Sequence, residues 1–528
     1  MNLFDSNITR LKALSFKKSL DKNLNIFVHR NHSFEMIGNV INAFLNFSDI
    51  EGEFLYSSYD DSLTFSELSS DIDLHILWLD LSRYNSDVVF AFVKNKIAEL
   101  RSKTAKPIIV AYLGNELKAD EINTSDTYLV NIDKIIEPLE EKAFDLAKEP
   151  VSGTRLSAKA SVLIAQYLGL HIIPSIVKPT LKAIVLDLDN TLYKGILGED
   201  GVDNLVANNK LQKYLLELKK QGFLLCIASK NEEKDAVEMF NKRTDFELKI
   251  NDFTTKRINW NSKAGNIVEM AKEMNINPDS MLFIDDNIAE IESVKAAIPQ
   301  IKTIVATDEN TVLNALRLYP GLMKRSTTKE DSLRSADLKA NQERAELLKT
   351  LSVEDYFKNL GMKVELVLND REHIDRITEL LNKTNQFILS YKRYNKTEVD
   401  ALLNSANSCI LTASMSDKLS DSGIIAILIA KKQDNEILVD ELTFSCRALG
   451  RNIENIVISK MLLMACEYLK TDYVANIQYK KGPRNTPALT WLAAYTQNNL
   501  EKDEDVLKIS VSKDIETHGL NIKESVNG

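Results

Sequence analysis

Four apolar residues followed by two aspartates spaced two apart, AIVLDLDNT over residues 183–191, constrain this chain more than any other feature. An unbroken apolar run too short for a buried helix reads as a strand covered on both faces, as in parallel sheets. Residues two apart on an extended chain face the same side. Asp187 and Asp189 therefore both address one point just beyond the strand's carboxyl end, where parallel sheets bind ligands. Two carboxylates alone are compatible with an acidic loop or with a metal site.

The same kind of run recurs along the chain and divides it into blocks. Over residues 24–177, NIFVH, LHILWLDL and KPIIVAYL alternate with helical patterns such as 88–100, which predicts a parallel α/β domain. Pro174 and Pro179 punctuate the chain before a new strand at Lys182. The second block repeats the alternation: KAIVLDLD, a helix at 210–220, FLLCIAS, a helix from Glu232, another at 264–274, then SMLFIDD, closing near Pro320. Residues 324–349 are polar and charged, as in a solvated helix or linker. From Val353 onward helices mix with SCILTAS, GIIAILIA and NEILVDELTF, an α/β pattern with an antiparallel component.

The expected architecture is a multidomain α/β chain. An N-terminal parallel α/β domain spans 1–179, a Rossmann-like domain 180–322, a helical linker 323–350 and an α+β domain 351–528. At about 150 residues per domain, 528 residues make room for three or four such units.

Composition narrows the partners. A net charge of −10, from 66 basic and 76 acidic residues, disfavours generic polyanion binding, so no nucleic acid is expected. Four cysteines (Cys226, Cys409, Cys446, Cys466) are too few for a disulfide framework and lack metal-knuckle spacing. The N-terminal residues contain no apolar signal core. The purest apolar stretch, 424–430, is far shorter than the ~20 residues of a spanning helix. A cytoplasmic protein without a membrane partner is the expectation.

Three elements extend the aspartate pair. Ser229 ends FLLCIAS and brings a hydroxyl; Lys263 opens a helix in NWNSKAGNI and brings a fixed positive charge; Asp285 and Asp286 end the strand in MLFIDDN. In that order at strand ends, the set resembles the haloacid dehalogenase (HAD) superfamily of phosphoryl-transfer enzymes. The resemblance implies that Asp187 is a nucleophile forming an aspartyl-phosphate, and that Asp189 protonates the leaving oxygen and then deprotonates water. Ser229 and Lys263 are expected to hold the phosphoryl oxygens, with Asn190, Thr191 and Asn231 as supporting polar groups. A carboxylate approaching a phosphate dianion is repelled, so a divalent cation is required. Mg²⁺ prefers oxygen ligands, here Asp187, Asp285 and a backbone carbonyl, with Asp189 and Asp286 completing the expected metal set. Asp286 either orients Lys263 or binds the metal through water.

About 36 residues separate Leu192 from Ser229, largely consumed by a flap-like turn (YKGILGEDGV) and one helix. The interval from Lys263 to Asp285 holds one helix and one strand. Neither gap accommodates an inserted cap domain, so an open site suited to a bulky or carrier-bound substrate is expected.

Within this core LDLDNTL, GILGEDG, ASKNEEKDA, INWNSKAGNI and FIDDNIAE look like the FkbH-like subfamily (IIIC) of HAD proteins. LLNKTNQFILSYKRY (380–394) and SCRALGRNIE (445–454) resemble segments downstream of that subfamily's core. The likeness covers roughly residues 180–500. Tyr193-Lys194 departs from the family's Trp-Gly, a change at the active-site entrance. The resemblance implies a phosphatase joined to an acyltransferase-like domain of the GNAT type. Its polyketide members dephosphorylate a glyceryl unit and pass it as a thioester to an acyl-carrier protein; others act in surface-polysaccharide pathways.

In the third block Arg447, Gly450 and Arg451 precede a helix whose first N–H groups are placed to hold an acyl donor's pyrophosphate, from acyl-CoA or carrier phosphopantetheine. The GNAT pattern has a small residue where Asn452 stands, so use of a carrier protein without CoA fits at least as well. Cys446 is either a core cysteine or an acyl acceptor. Family members carry an SGNH-hydrolase-like domain at the N-terminus. Here no Gly-Asp-Ser elbow is present, His29 and His32 lack an evident Ser/Asp set, and His75 reads as a core histidine, so a docking or structural role is expected.

These readings converge on a Mg²⁺-dependent phosphatase acting on a phosphorylated three-carbon or sugar-derived acyl unit, small-molecule or carrier-bound, which the C-terminal domain is expected to transfer to an acyl-carrier protein or a sugar. The alternatives are a phosphatase fused to a sugar acyltransferase, and a scaffold with a degenerate HAD domain.

Overall fold

The computed structural model describes residues 3–60, 62–66, 68, 71–114, 117, 122, 126–323, 340–341, 343–344, 347–384, 386–445, 448–482 and 484–526. The chain divides into two compact units, Met1–Thr180 with Thr307–Arg325, and Leu181–Ala306 with Ser326–Gly528.

The first unit is built on β1 (Leu24–Arg30), β2 (Gly52–Tyr59), β3 (Leu74–Asp80), β4 (Ile108–Leu113) and β5 (Thr127–Asn131). They form an all-parallel sheet in the order β2-β1-β3-β4-β5. Every residue of β3 and β4 is buried, as continuous apolar strands require when helices cover both faces. His75 lies in that core, its ring nitrogen 3.2 Å from His29, while His32 meets Thr154 and stacks on Trp78. Among the described residues no serine–histidine–carboxylate set forms around them.

Residues 158–177 form a continuous helical run with a π-type turn at Tyr167–Ile172. By length and a hydropathy of 1.7 it could cross a membrane, but 83% of it is buried inside the protein, so it is a core helix. Gly169 permits its close approach to the helix Glu35–Leu45, since a Cβ there would stand 2.8 Å from the Phe44 Cβ. Residues 424–430 are instead the centre of a strand.

The boundary expected at 322 moves. The helix Glu309–Leu318 buries Val312, Leu313, Ala315 and Leu316, and Tyr319 stacks on Phe4, so this segment belongs to the first unit and the second block's sheet ends before Thr307. An apolar helix face follows the surface that covers it, and periodicity does not say which surface that is. The linker expected at 323–350 lies largely outside the described residues.

The second unit begins with β6 (Ala183–Leu186), the short pair β7 (Tyr193–Lys194) and β8 (Val206–Ala207), β9 (Leu224–Ser229), β10 (Thr255–Ile258), β11 (Met281–Asp285) and β12 (Lys302–Val305). The five longer strands are parallel in the order β10-β9-β6-β11-β12. Strand order reverses between β6 and β11, and a crevice opens at such a switch point beyond the carboxyl ends. Ala183, Val185 and Phe283 pack on Ile267, Met270, Ile291 and Val294 from the helices Lys263–Glu273 and Ile288–Ala297.

The remainder of this unit is a seven-stranded mixed sheet of β13 (Lys363–Leu368), β14 (Ser408–Ser416), β15 (Asp421–Gln433), β16 (Glu436–Phe444), β17 (Val474–Lys480), β18 (Glu504–Ser510) and β19 (Asn521–Val526). β13 to β16 are antiparallel neighbours; β16 and β17 are parallel, joined through the helix Glu454–Leu469. Helices pack on both faces, giving two apolar layers. The multidomain α/β class is as the sequence indicates.

Candidate active site

Asp187 follows directly on β6, and its backbone N–H donates to the Ile284 carbonyl (3.0 Å), which ties the loop to β11. Ser229 ends β9, Asp285 ends β11, and Lys263 is the first residue of a helix capped by Ser262. Adjacent strands thus deliver these groups to one place. The Lys263 ammonium lies 2.9 Å from the Asp187 Oδ1 and 2.6 Å from the Asp285 Oδ2, all three side chains being buried. The Ser229 hydroxyl also hydrogen-bonds Asp187.

Burial pushes the Asp187 carboxyl above the ordinary carboxylate range, and the nearby Asp285 adds to this against the opposing pull of Lys263. Burial pulls Lys263 down, but its two carboxylate neighbours outweigh it and keep the amine charged. Asp286, half-buried, is pushed up by burial and by Asp285, and hydrogen-bonds Asn190.

Asp187, Asp285 and Asp286 each offer an oxygen within 4.8 Å of the others, and among the described residues this is the one such group able to hold a metal ion. Three carboxylates and one ammonium leave two net negative charges, and all donors are oxygens. That set fits a hard divalent cation such as Mg²⁺. Asp189 was expected among the ligands, but the structure does not bring its carboxylate into the group. Its Oδ1 accepts from the Tyr193 hydroxyl (2.7 Å) and the Leu197 N–H (3.0 Å), and its Oδ2 from the Asn231 amide (2.9 Å). The alternation of an extended strand stops at Leu186, and past that point the chain turns, so same-side geometry no longer holds.

The supporting groups assemble as well. Asn231 also donates to the Ser229 hydroxyl (3.2 Å). Asn190 adopts φ 52°, a left-handed conformation that Asn tolerates, and its side chain accepts the Gly195 N–H. The Thr191 Oγ1 is buried without a partner among the described residues. The sequence marks Tyr193 as a change at the active-site entrance but not as a partner of Asp189, which its hydroxyl reaches. The available signal is an aromatic with a polar tip four residues past Asp189.

The β7–β8 hairpin with the short helix Leu197–Asp200 forms a flap, and residues 181–306 contain no inserted cap domain.

The groups expected to hold an acyl donor are differently disposed. Cys446 and Arg447 lie outside the described residues. Gly450 donates its N–H to Glu454 (2.6 Å), so the helix's own acid takes the place an anion would need. Arg451 is buried and donates to Ser422 and Asn341, a correction to its expected exposure to a ligand. β16 and β17 pair only over 437–439 with 475–477. Where they part, residues 386–390 fill the gap: Phe444 donates to the Phe387 carbonyl (2.9 Å), and Lys480 donates to the Leu389 carbonyl (2.8 Å). The buried Glu441 anchors this segment by accepting the N–H groups of Leu389, Ser390 and Lys392.

No protein-family model matches the chain, and no curated protein does. Among solved structures it is similar to the N-terminal part of a Bacteroides fragilis protein containing a phosphatase domain complexed with Mg (20% identity, TM-score 0.49, 60% of this chain and 100% of that one). It is also similar to a HAD family enzyme from Bacteroides thetaiotaomicron in complex with magnesium and inorganic phosphate (14%, TM-score 0.18, 24% and 96%). A third likeness is to a GNAT-family acetyltransferase from Streptococcus pneumoniae (11%, TM-score 0.20, 28% and 99%). None of these likenesses is close enough to identify the chemistry, which rests on the side chains.

Proposed function

We propose that this protein is a Mg²⁺-dependent phosphatase of the HAD type, FkbH-like, working through Asp187. The observation that carries the reading is the convergence of Asp187, Ser229, Lys263, Asp285 and Asp286 at the switch point of one parallel sheet. In this reading Asp187 attacks phosphorus, and the bond to the leaving oxygen breaks as Asp189 delivers a proton to it. Asp189 then takes a proton from water, whose oxygen attacks phosphorus, freeing Asp187 and inorganic phosphate. Ser229 and Lys263, which here hydrogen-bond Asp187, supply a hydroxyl and a positive charge to the phosphoryl oxygens. A cation held by Asp187, Asp285 and Asp286 supplies the charge neutralisation that lets a carboxylate approach a phosphate dianion.

The test is Mg²⁺-dependent release of phosphate from 4-nitrophenyl phosphate. Asp187→Asn abolishes it while the circular dichroism spectrum is unchanged; turnover retained in that variant refutes the nucleophile.

The finer reading places a phosphorylated, glyceryl-type acyl unit in this site and transfers it, dephosphorylated, to an acyl-carrier protein through the C-terminal domain, with Cys446 as thioester acceptor. The engagement of Gly450 and Arg451 within the protein favours a carrier over free CoA. Intact mass after incubation with bisphosphoglycerate then shows an adduct that Cys446→Ala removes. An adduct surviving that substitution removes Cys446 from the mechanism. Transfer to a sugar in surface-polysaccharide synthesis is the alternative acceptor chemistry.

A further inference from the structure

We infer that Tyr193 is a positioning residue for the acid/base Asp189, an inference that rests on the phosphatase reading above. Three donors hold the Asp189 carboxylate, and the two on Oδ1 both come from the flap: the Tyr193 hydroxyl at 2.7 Å and the Leu197 N–H at 3.0 Å. Tyr193 opens β7 and is fully buried, its ring 5.8 Å from that of Phe246, so the phenol is clamped by packing rather than free to follow solvent. The third donor, Asn231, is itself tied to Ser229. The carboxyl torsion of an aspartate is soft, so its orientation comes from such partners rather than from a rotamer well.

Without the phenol, Oδ1 keeps the Leu197 N–H and Oδ2 the Asn231 amide, and the carboxyl turns more easily about these two remaining donors. A proton transfer is sensitive to such turning, because misplacement by about 1 Å costs on the order of a hundredfold. Phosphate binding, which runs through Ser229 and Lys263, does not depend on Tyr193. The effect therefore falls on substrates whose leaving oxygen needs a proton.

The experiment compares kcat/KM of wild type and Tyr193→Phe on 4-nitrophenyl phosphate, whose leaving group departs unprotonated, and on glycerol phosphate, whose alkoxide does not. The aryl substrate loses no more than about threefold and the alkyl substrate about tenfold or more. In an Asp189→Asn background Tyr193→Phe costs nothing further. Tyr193→Met, which fills the pocket adaptably and lacks a donor, repeats the comparison if the phenylalanine variant does not fold. Equal losses on both substrates, no loss on either, or an additional loss in the Asp189→Asn background overturn the inference. A wild type inert toward both phosphates sinks the phosphatase reading itself, whereas an active wild type with equal losses sinks only the role of Tyr193.

Discussion

The Lys263 ammonium stands 2.6 Å from the Asp285 Oδ2, with the lysine 5% and the aspartate 0% exposed. A pair this deep is sustained by further partners: Asp285 accepts the Asn287 N–H on its other oxygen, and Lys263 reaches Asp187 as well. Desolvating such charges is costly, so each member depends on the others.

Lys263→Met leaves Asp187 and Asp285 facing each other without a countercharge. We expect the metal-free variant to lose about 3–5 kcal/mol of stability, with Mg²⁺ restoring more of it than it adds to wild type. Chemical denaturation with and without Mg²⁺ measures both. Phosphate release falls by about a hundredfold or more, as when a positioned transition-state donor is removed.

Mg²⁺ binding to the folded state raises the melting temperature, by an amount that grows with the logarithm of one plus the ratio of free Mg²⁺ concentration to Kd. Because the carboxylate of Asp189 lies apart from the acidic group, Asp189→Asn keeps the Mg²⁺-induced rise while Asp285→Asn loses it. A thermal-shift titration separates the two. Loss of the rise in Asp189→Asn would return that carboxylate to the metal set.

Part of the loss of stability in acid comes from the first unit's histidines. Burial holds His29 and His32 down at about 3, and His75 and His171 at about 4. The unfolded chain takes up these protons near pH 6.5, so between that value and 3–4 the unfolded state binds more protons and stability rises with pH. The contribution is complete above about pH 6.5 and is lost as pH falls toward 3–4. Trp78, stacked on His32, reports this unit once Trp260 and Trp491 are replaced by Phe. His32→Phe flattens the pH dependence of its unfolding free energy by about one proton.

In the C-terminal sheet domain Arg344 grips Asp417 with two bonds, Nε to Oδ2 at 2.7 Å and a guanidinium N–H to Oδ1 at 2.8 Å, both side chains buried. Asp417→Ala removes the countercharge of a buried guanidinium, which keeps its bonds to Asn341 and Ser420, and costs about 3–5 kcal/mol in urea unfolding. Adding Arg344→Met to it costs less than the sum of the single changes.

Much of the site is legible in the sequence. Ser229, Lys263 and Asp285 are each identifiable as the residue at the end of an apolar strand or the start of a helix; Ser229 and Lys263 bond Asp187, and Asp285 joins them through Lys263. Among the places where expectation and structure part are Asp189, aimed at Tyr193 rather than into the metal group, and Arg451, turned inward to Ser422. Both concern where a side chain points after the regular element has ended.

By itself the sequence determined the central strands and their chemistry: apolar runs set β1, β3, β4, β6, β9, β11 and β14 to β16, and Asp187, Ser229 and Asp285, which end or follow three of them, were available for a site. These are local properties, set by how many neighbours along the chain are apolar. Tertiary structure alone decided that β6 lies beside β11, that the helix after Val305 joins the first unit, that a tyrosine from the flap closes on Asp189, and that residues 386–390 fill the gap between β16 and β17. Those outcomes depend on which distant surfaces cover one another and which donors are left over when they do, and no window of the chain contains that information.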